Sequence, residues 1–165
     1  NISELDLSYW DSIKNLDSIV SLTQLTSLSV HGCRNLSDVD GLEKLTQLTE
    51  LNLSYCDSLQ NVNGLKNLTH LTELRLSGCH YLRNANDFEK LINISELDLS
   101  DCEYLQNIDA LKNLTKLTTL DLSGCEALED LDVLKNLTQL KELDFSGGEL
   151  PPSLDHLKKL VNPSD

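Results

Sequence analysis

The sequence predicts an α/β solenoid, a right-handed coil in which short parallel strands alternate with helical or 3₁₀ turns. Three observations carry this prediction. Leucine recurs at an interval of 23 residues, no insertion breaks that register, and the spacing of apolar residues changes within each repeat from two to three. The recurring leucines are Leu5, Leu28, Leu51, Leu74, Leu97, Leu120 and Leu143.

Each repeat opens with a predicted strand. When every repeat is numbered from 1, apolar residues occupy positions 5 and 7, and mostly polar residues occupy positions 4, 6 and 8. Alternation with period two indicates a strand with one buried face and one exposed face. Strands of successive repeats are therefore expected to stack in parallel, about 4.8 Å apart, and to line the inner wall of a curved coil.

The rest of each repeat predicts a return segment. Apolar residues follow at positions 10, 13, 16, 19 and 22, and a spacing of three suits 3₁₀ or helical turns. Position 17 often holds Asn or Asp, such as Asn63, Asp109 and Asp132, and these residues are expected to cap the turn. Asn or Asp also recurs at position 15, where the side chain is expected to bond the turn backbone.

Seven repeats span residues 1–161, and residues 162–165 are a C-terminal remnant. Solenoids normally close each end with an atypical polar cap. Here the sequence opens at a strand, and Gly147, Gly148, Pro151 and Pro152 disturb the seventh repeat. We therefore expect the chain to be a fragment of a larger protein, with caps or further domains outside this sequence.

The repeat resembles the leucine-rich repeat family, whose pattern is LxxLxLxxN/CxL. LTELNLSYCDSL (48 to 59) and LTELRLSGCHYL (71 to 82) meet this pattern. The wording NLTxLTELxLS is similar to bacterial internalins, and Cys in the Asn slot is similar to cysteine-type repeats of some protozoan proteins, so the lineage stays open. The resemblance implies a horseshoe or shallow arc that binds proteins, and in some members glycans, on its concave face.

Composition argues against two classes of partner. With 13 Lys and Arg against 27 Asp and Glu, the net charge of −14 opposes binding to nucleic acid and to anionic membranes. No stretch approaches the roughly 20 apolar residues of a transmembrane helix, so we expect no membrane insertion. The chain is expected to be a monomer. Its five cysteines cannot all pair, and cytoplasmic, secreted and cell-surface locations all stay open.

A column of cysteines occupies position 10. Because unpaired cysteine is usually buried, we interpret these thiols as small apolar groups in the core. Thiols 23 residues apart, with the histidines in no matching column, do not supply the clustered tetrahedral ligands of zinc, so neither metal nor cofactor is expected. The column comprises Cys33, Cys56, Cys79, Cys102 and Cys125, preceded by Trp10, which is expected to fill or cover the core at the first repeat.

The exposed strand positions 4 and 6 predict a binding surface. Nine of their fourteen residues are acidic, whereas seven of the 13 basic residues lie at positions 20 and 21 of the return segment. Stacked carboxylates repel one another, and a basic protein partner would relieve that repulsion. Two alternatives are a solvated face copied by repeat duplication and a calcium ion on the aspartate column. The candidate partner contacts are Glu50, Glu73, Arg75, Glu96, Asp98 and Asp121.

Tyrosines provide further candidate contacts. Aromatic residues are only 4% of the chain, yet Tyr55 lies at position 9, just past the strand, and Tyr81 and Tyr104 share position 12 of adjacent repeats. Exposed tyrosines beside a polar wall are common anchors of interfaces, and packing over neighbouring loops is the equal alternative. Tyr55, Tyr81 and Tyr104 therefore join the candidate contacts.

The sequence favours a non-enzymatic protein-protein interaction module that binds its partner on the acidic concave face. His31 stands between serines of position 8, but serine is the ordinary residue there and no oxyanion hole accompanies it, so catalysis is not expected. Two other functions stay open. One is a structural spacer between other domains, and the other is the substrate-recognition domain of a larger enzyme or surface adhesin.

Overall fold

Seven three-residue strands form one parallel sheet in the computed structural model, which describes residues 2–146 and 149–160. The strands follow one another in chain order across the sheet, and each pairs with the next in register, so that Leu28 pairs with both Leu5 and Leu51. They are β1 (Glu4–Asp6), β2 (Ser27–Ser29), β3 (Glu50–Asn52), β4 (Glu73–Arg75), β5 (Glu96–Asp98), β6 (Thr119–Asp121) and β7 (Glu142–Asp144).

Hydrogen bonds between coils continue on both sides of each strand. On the C-terminal side, the Leu53 N–H donates to the Arg75 carbonyl at 2.8 Å and the Tyr55 N–H to the Ser77 carbonyl at 2.7 Å. On the N-terminal side, hydroxyls at position 3 donate to the position-3 carbonyl of the preceding coil, as Thr49 does to Thr26 at 3.0 Å. These bonds hold each coil to the next over the whole width of the sheet.

Every return segment is a 3₁₀ helix, as the spacing of three predicts. One apolar residue per turn points into the coil, and Leu42, Phe88 and Leu111 are completely buried in this way. The last segment is bent, with a non-helical backbone at Leu154. The segments are Asp17–Ile19, Asp40–Lys44, Asn63–Leu65, Asn86–Lys90, Asp109–Asn113, Asp132–Asn136 and Pro152–Leu160. The predicted α/β solenoid of parallel strands and short 3₁₀ turns is confirmed.

In the first six coils, the residue that caps the 3₁₀ turn lies at position 15. Its side-chain oxygen accepts a hydrogen bond from the N–H of position 17, as Asn107 Oδ1 does from Asp109 N at 2.9 Å and Asp38 Oδ1 from Asp40 N at 2.7 Å. The predicted turn-bonding role of position 15 is therefore confirmed. The prediction that Asn63, Asp109 and Asp132 at position 17 act as caps was wrong, because these residues are the first of the helix and donate to the cap.

The cysteine column lies in the core, as predicted. All five thiols are buried and free, and each donates to the position-7 carbonyl of the preceding coil. The Cys79 Sγ lies 3.2 Å from the Leu53 carbonyl oxygen, and the Cys125 Sγ lies 3.0 Å from the Leu99 carbonyl oxygen. These thiols therefore link neighbouring coils as well as filling space.

Trp10 does not cover the core, contrary to the prediction. Its side chain is 56% exposed, whereas the five thiols at the same repeat position are buried. In coils two to six the position-10 side chain is a thiol held against a carbonyl of the preceding coil. The seventh residue of this column, Gly148, lies outside the described residues, as do Gly147 and the end of the chain from 161 to 165.

Candidate protein-binding surface

The side chains at positions 4 and 6 project from the sheet away from the core. They are exposed or half-buried in all seven strands, while the leucine between them is buried in six strands and half-buried in β1. The predicted orientation is therefore correct. We call this surface the strand face, and its acidic members are Glu4, Glu50, Glu73, Glu96 and Glu142 with Asp6, Asp98, Asp121 and Asp144.

The aspartates of position 6 are fixed by the serine two residues later. The Ser100 N–H donates to Asp98 Oδ1 at 3.0 Å, and the Ser100 hydroxyl donates to the same oxygen at 2.6 Å. The arrangement recurs in coils one, six and seven, and in coil three Asn52 Oδ1 accepts only the Ser54 N–H, at 3.0 Å. Because one oxygen closes the turn, each aspartate holds its other oxygen in a defined direction on the strand face.

Carboxylates repeat along the sheet at the spacing of the strands. Asp98, Asp121 and Asp144 are successive partners in the strand register. Partial burial raises the pKa of Asp121, the bonds from Ser123 oppose that rise, and the charges of Asp98 and Asp144 add to it. By contrast, the hydrogen bonds from Ser8 lower the pKa of Asp6 at the edge of the sheet. The ionised form is therefore least favourable in the middle of this column, at Asp121.

Arg75 stands next to the aspartate column, between Asn52 and Asp98 in the strand register, and lies beside most of the predicted contacts. It forms an ion pair with Glu73 on the same strand, and it pairs with Asp98 in the strand register. A shallow depression of about 180 Å³ lies here. Its lining comprises Glu73, Leu74, Arg75, Glu96, Leu97, Asp98, Thr119 and Asp121, which includes five of the six charged residues predicted from the sequence. Glu50 lies outside the depression, on β3, and is exposed.

The predicted tyrosines fall into two separate groups at the turns after the strands. Tyr81 and Tyr104 stack with ring centroids 5.8 Å apart and an interplanar angle of 5°, so the contact expected from their spacing is present. Each ring is about half exposed. Tyr55 belongs to a different group, in which His31 lies between Tyr9 and Tyr55 with centroid distances of 5.0 and 5.3 Å.

Tyr9 shares position 9 with Tyr55, and neither Tyr9 nor His31 is among the contacts predicted from the sequence. Both rings meet edge to face with their neighbours, at interplanar angles of 76° and 74°. The sequence carried a signal, since His31 replaces serine at position 8 in the coil between two tyrosines of position 9. We call Tyr9, His31 and Tyr55 the aromatic row.

The described residues offer no cluster suited to a metal. Within residues 2–146 and 149–160, no three His, Cys, Asp or Glu side chains are grouped so that they could hold an ion. Burial raises the pKa of the Cys79 and Cys125 thiols to about 12, which keeps them protonated and unreactive at neutral pH. In the same part of the chain, no helix is long and apolar enough to cross a lipid bilayer.

Comparison with solved structures places this architecture among leucine-rich-repeat solenoids. An internalin, inlF, from Listeria monocytogenes matches with a TM-score of 0.74 at 25% identity, over 92% of this chain and 47% of the internalin chain. Internalin C2 from the same organism matches with a TM-score of 0.65 at 24% identity, over 97% of this chain and 80% of that one. The leucine-rich repeat domain of the type III effector XopL matches with a TM-score of 0.62 at 20% identity, over 87% of this chain and 68% of the XopL chain.

The chain is thus a leucine-rich-repeat protein, and the predicted resemblance to internalins is confirmed. Six copies of the BspA-type leucine-rich repeat match residues 2–129, and the chain belongs to that family. A search of curated protein sequences gave no significant match. Leucine-rich-repeat domains are typically non-enzymatic modules that bind other proteins. The chain spans about half the length of the inlF protein.

Proposed function

We propose that this chain is a non-enzymatic recognition module whose strand face binds a basic segment of another protein. The observation that carries the proposal is the row of carboxylates on the strand face, with Asp98 and Asp121 held in defined directions by Ser100 and Ser123. Preorganised acceptors lose little conformational freedom on binding a cation. Acidic potential along the whole face would also speed the encounter with a basic partner.

The depression around Arg75 is the centre of the proposed contact. Leu74 and Leu97 form part of its lining between the charged side chains. A basic side chain of the partner can therefore bury its methylene groups there and pair its charge with a carboxylate. The ion pair between Arg75 and Glu73 reduces the local negative charge of the acidic surface. A partner with cations on both sides of a neutral or acidic residue would match this pattern.

A peptide titration tests the proposal directly. The probe is acetylated octa-arginine, and the variant carries Glu73→Gln, Glu96→Gln and Asp98→Asn. Asparagine keeps the turn bond at position 6, because Asn52 makes the same bond in coil three. Exposed ion pairs are each worth roughly 0.2–1 kcal/mol. Loss of three pairs from the middle of this range, at about 0.5–0.7 kcal/mol each, should weaken peptide binding about tenfold to thirtyfold, measured by isothermal titration calorimetry.

A charge-matched control separates the strand face from general attraction to an acidic protein. The control carries Asp87→Asn, Glu89→Gln and Asp109→Asn on the 3₁₀ segments of the same two coils, which changes the net charge equally. We expect the control variant to weaken peptide binding less than about threefold, because its three carboxylates lie on the return segments and not on the strand face. If both triple variants weaken binding to the same extent, the strand face has no special role.

The competing function is a structural spacer. The bonds from Ser100 and Ser123 give Asp98 and Asp121 a role in closing the turn. That structural role explains aspartate at these positions even if no protein partner binds there. A spacer predicts equal effects of the two triple variants, whereas the recognition module predicts a difference. The same titration therefore decides between them.

A further inference from the structure

Position 9 adopts a left-handed backbone in the first six coils. Glycine occupies it in coils two, four and six, with φ between 67° and 70°. Larger residues occupy it in the other three, with φ of 62° at Tyr9, 57° at Tyr55 and 55° at Asp101. Glycine adopts this conformation without steric cost, whereas a bulky residue does not. The alternation therefore places two tyrosines where the backbone itself favours glycine.

The alternating glycines make room for the tyrosine rings. A Cβ atom added at Gly32 would lie 2.7 Å from Tyr9 Cδ1, and one added at Gly78 would lie 2.5 Å from Tyr55 Cδ1. Each ring therefore lies over the glycine of the following coil. The direction of both rings is set by the backbone of a neighbouring coil and does not need a bound partner.

The rings receive little burial in return for the strained backbone. Tyr9 is 73% exposed, so removal of apolar area from water accounts for little of its placement, whereas Tyr55 is 43% exposed and gains more from burial. Strained residues that persist on a surface are a reason to look for function. Both tyrosines also contact the ring of His31, which joins them into one continuous aromatic surface.

The aromatic row borders the strand face. Its members lie at positions 8 and 9, two and three residues after the position-6 side chains. Asp6 is near enough to His31 for their charges to interact. Aromatic faces beside carboxylates attract cations, and the planar guanidinium group stacks on them better than an ammonium group. The surroundings therefore suit arginine in particular.

We propose that the aromatic row is a second binding site, which takes an arginine side chain from the basic partner of the strand face. This inference rests on the proposed function. The partner then lies over the strand face and over its C-terminal edge, with guanidinium groups on Tyr9 and Tyr55 and further cations on the carboxylates. Gly32 and Gly78 act as positioning residues, because they allow the rings to lie where the guanidinium groups stack.

The test uses acetylated octa-arginine at pH 8, where a free imidazole is mostly neutral. One variant carries Tyr9→Gly and Tyr55→Gly, and its matched control carries Tyr9→Phe and Tyr55→Phe. We expect the glycine variant to bind the peptide about fivefold to thirtyfold more weakly, from the loss of two cation–π contacts. The phenylalanine control keeps the ring faces and should bind within about twofold of the unmodified chain.

Thermal unfolding supplies the second readout. The glycine variant should unfold within about 4 °C of the unmodified chain, because relief of the left-handed strain offsets the lost ring packing and the greater freedom of the unfolded chain. Asp101→Gly calibrates this effect, since it relieves the same strain at a site without an aromatic ring. Unchanged peptide binding by the glycine variant would overturn the inference. So would a fall in its unfolding midpoint of more than about 4 °C, which would assign the rings to packing.

The outcomes also separate this inference from the proposed function. If the strand-face triple variant binds the peptide more weakly and the glycine variant does not, the aromatic row is not a binding site, and the strand face is still the proposed binding surface. If the triple variant binds the peptide like its charge-matched control, the proposed function fails and the inference fails with it.

Discussion

Replacing Gly64 with alanine should lower the free energy of unfolding by about 3 kcal/mol. Gly64 lies in the 3₁₀ segment Asn63–Leu65, and a Cβ atom there would lie 1.9 Å from the Val39 carbonyl oxygen. That oxygen belongs to the backbone and already accepts a hydrogen bond from the Leu42 N–H at 2.9 Å. It cannot move aside as a flexible side chain would, so coils two and three must separate.

Separation of these coils affects more than one contact. Leu42 and Leu65 are both completely buried on the 3₁₀ segments of the two coils, and both would lose packing. Alanine also restricts the unfolded chain, which returns roughly 0.4–1 kcal/mol of stability. The clash outweighs this gain, because the contact is far shorter than any van der Waals distance.

A matched control is available at the same repeat position in the next coil. Asp87 occupies position 18 of coil four and is half-buried, so the backbone there already accommodates a Cβ atom. Asp87→Ala should change the free energy of unfolding by less than about 1 kcal/mol. The measurement is urea unfolding followed by circular dichroism. A Gly64→Ala protein as stable as the unmodified chain would show that the two coils are not in this close contact.

The register of the sheet could be predicted because it follows from one leucine in every 23 residues. A slip of one residue would move Leu51 or Leu74 from the core to solvent, so burial allows a single pairing. The 3₁₀ segments could be predicted for a similar reason, since one apolar residue in three matches their period. These are properties of spacing, and spacing is visible in a sequence.

Contacts that depend on side-chain direction could not be predicted in the same way. Asn61 and Asn63 are both polar and near the start of a 3₁₀ segment, but only the side chain two residues before the N–H can close the turn. Trp10 is exposed although it shares the repeat position of five buried thiols, so spacing alone did not indicate its burial. The turn-bonding role of position 15 was predicted correctly, and the roles of position 17 and of Trp10 were not.

The candidate surface shows the same division. Period-two alternation placed Glu73, Glu96 and Asp98 on the exposed face of the strands. It did not reveal that Ser100 fixes Asp98, or that Gly78 makes room for Tyr55. Both relations link residues through backbone geometry, and in the second case the two residues are in different coils. Side-chain contacts on the surface of a repeat protein therefore have to be read from coordinates, even where the fold can be predicted from the sequence.

Raising the pH from 7.5 to 10 should reduce the free energy of unfolding by several kcal/mol through the cysteine column. Burial raises the pKa of Cys56, Cys79, Cys102 and Cys125 above the value of 9.0 for a free thiol, to about 12 for Cys79 and Cys125. An unfolded thiol therefore loses its proton at a pH where the folded thiol keeps it. Unfolding then releases protons, and a higher pH favours the unfolded state.

The pH window follows from these pKa values. The contribution of the thiols is fully present below pH 9 and is lost progressively as the pH rises towards 12. At pH 10 each strongly shifted thiol costs on the order of 1 kcal/mol, so the four of them together cost several kcal/mol. Ionisation of a folded thiol would bury a charge and would also remove the S–H donor to the position-7 carbonyl. Both effects favour the protonated thiol in the folded state.

The column can be separated from other alkaline titrations by a single substitution. Cys79→Ala removes one shifted thiol and leaves every Lys and Tyr in place, so the fall in its free energy of unfolding between pH 7.5 and pH 10 should be smaller than that of the unmodified chain by on the order of 1 kcal/mol. Urea unfolding at pH 7.5, 9 and 10 provides the comparison. Equal declines in the two proteins would mean that the folded thiols ionise as readily as free ones, and that the column is not the protonated, hydrogen-bonded core described above.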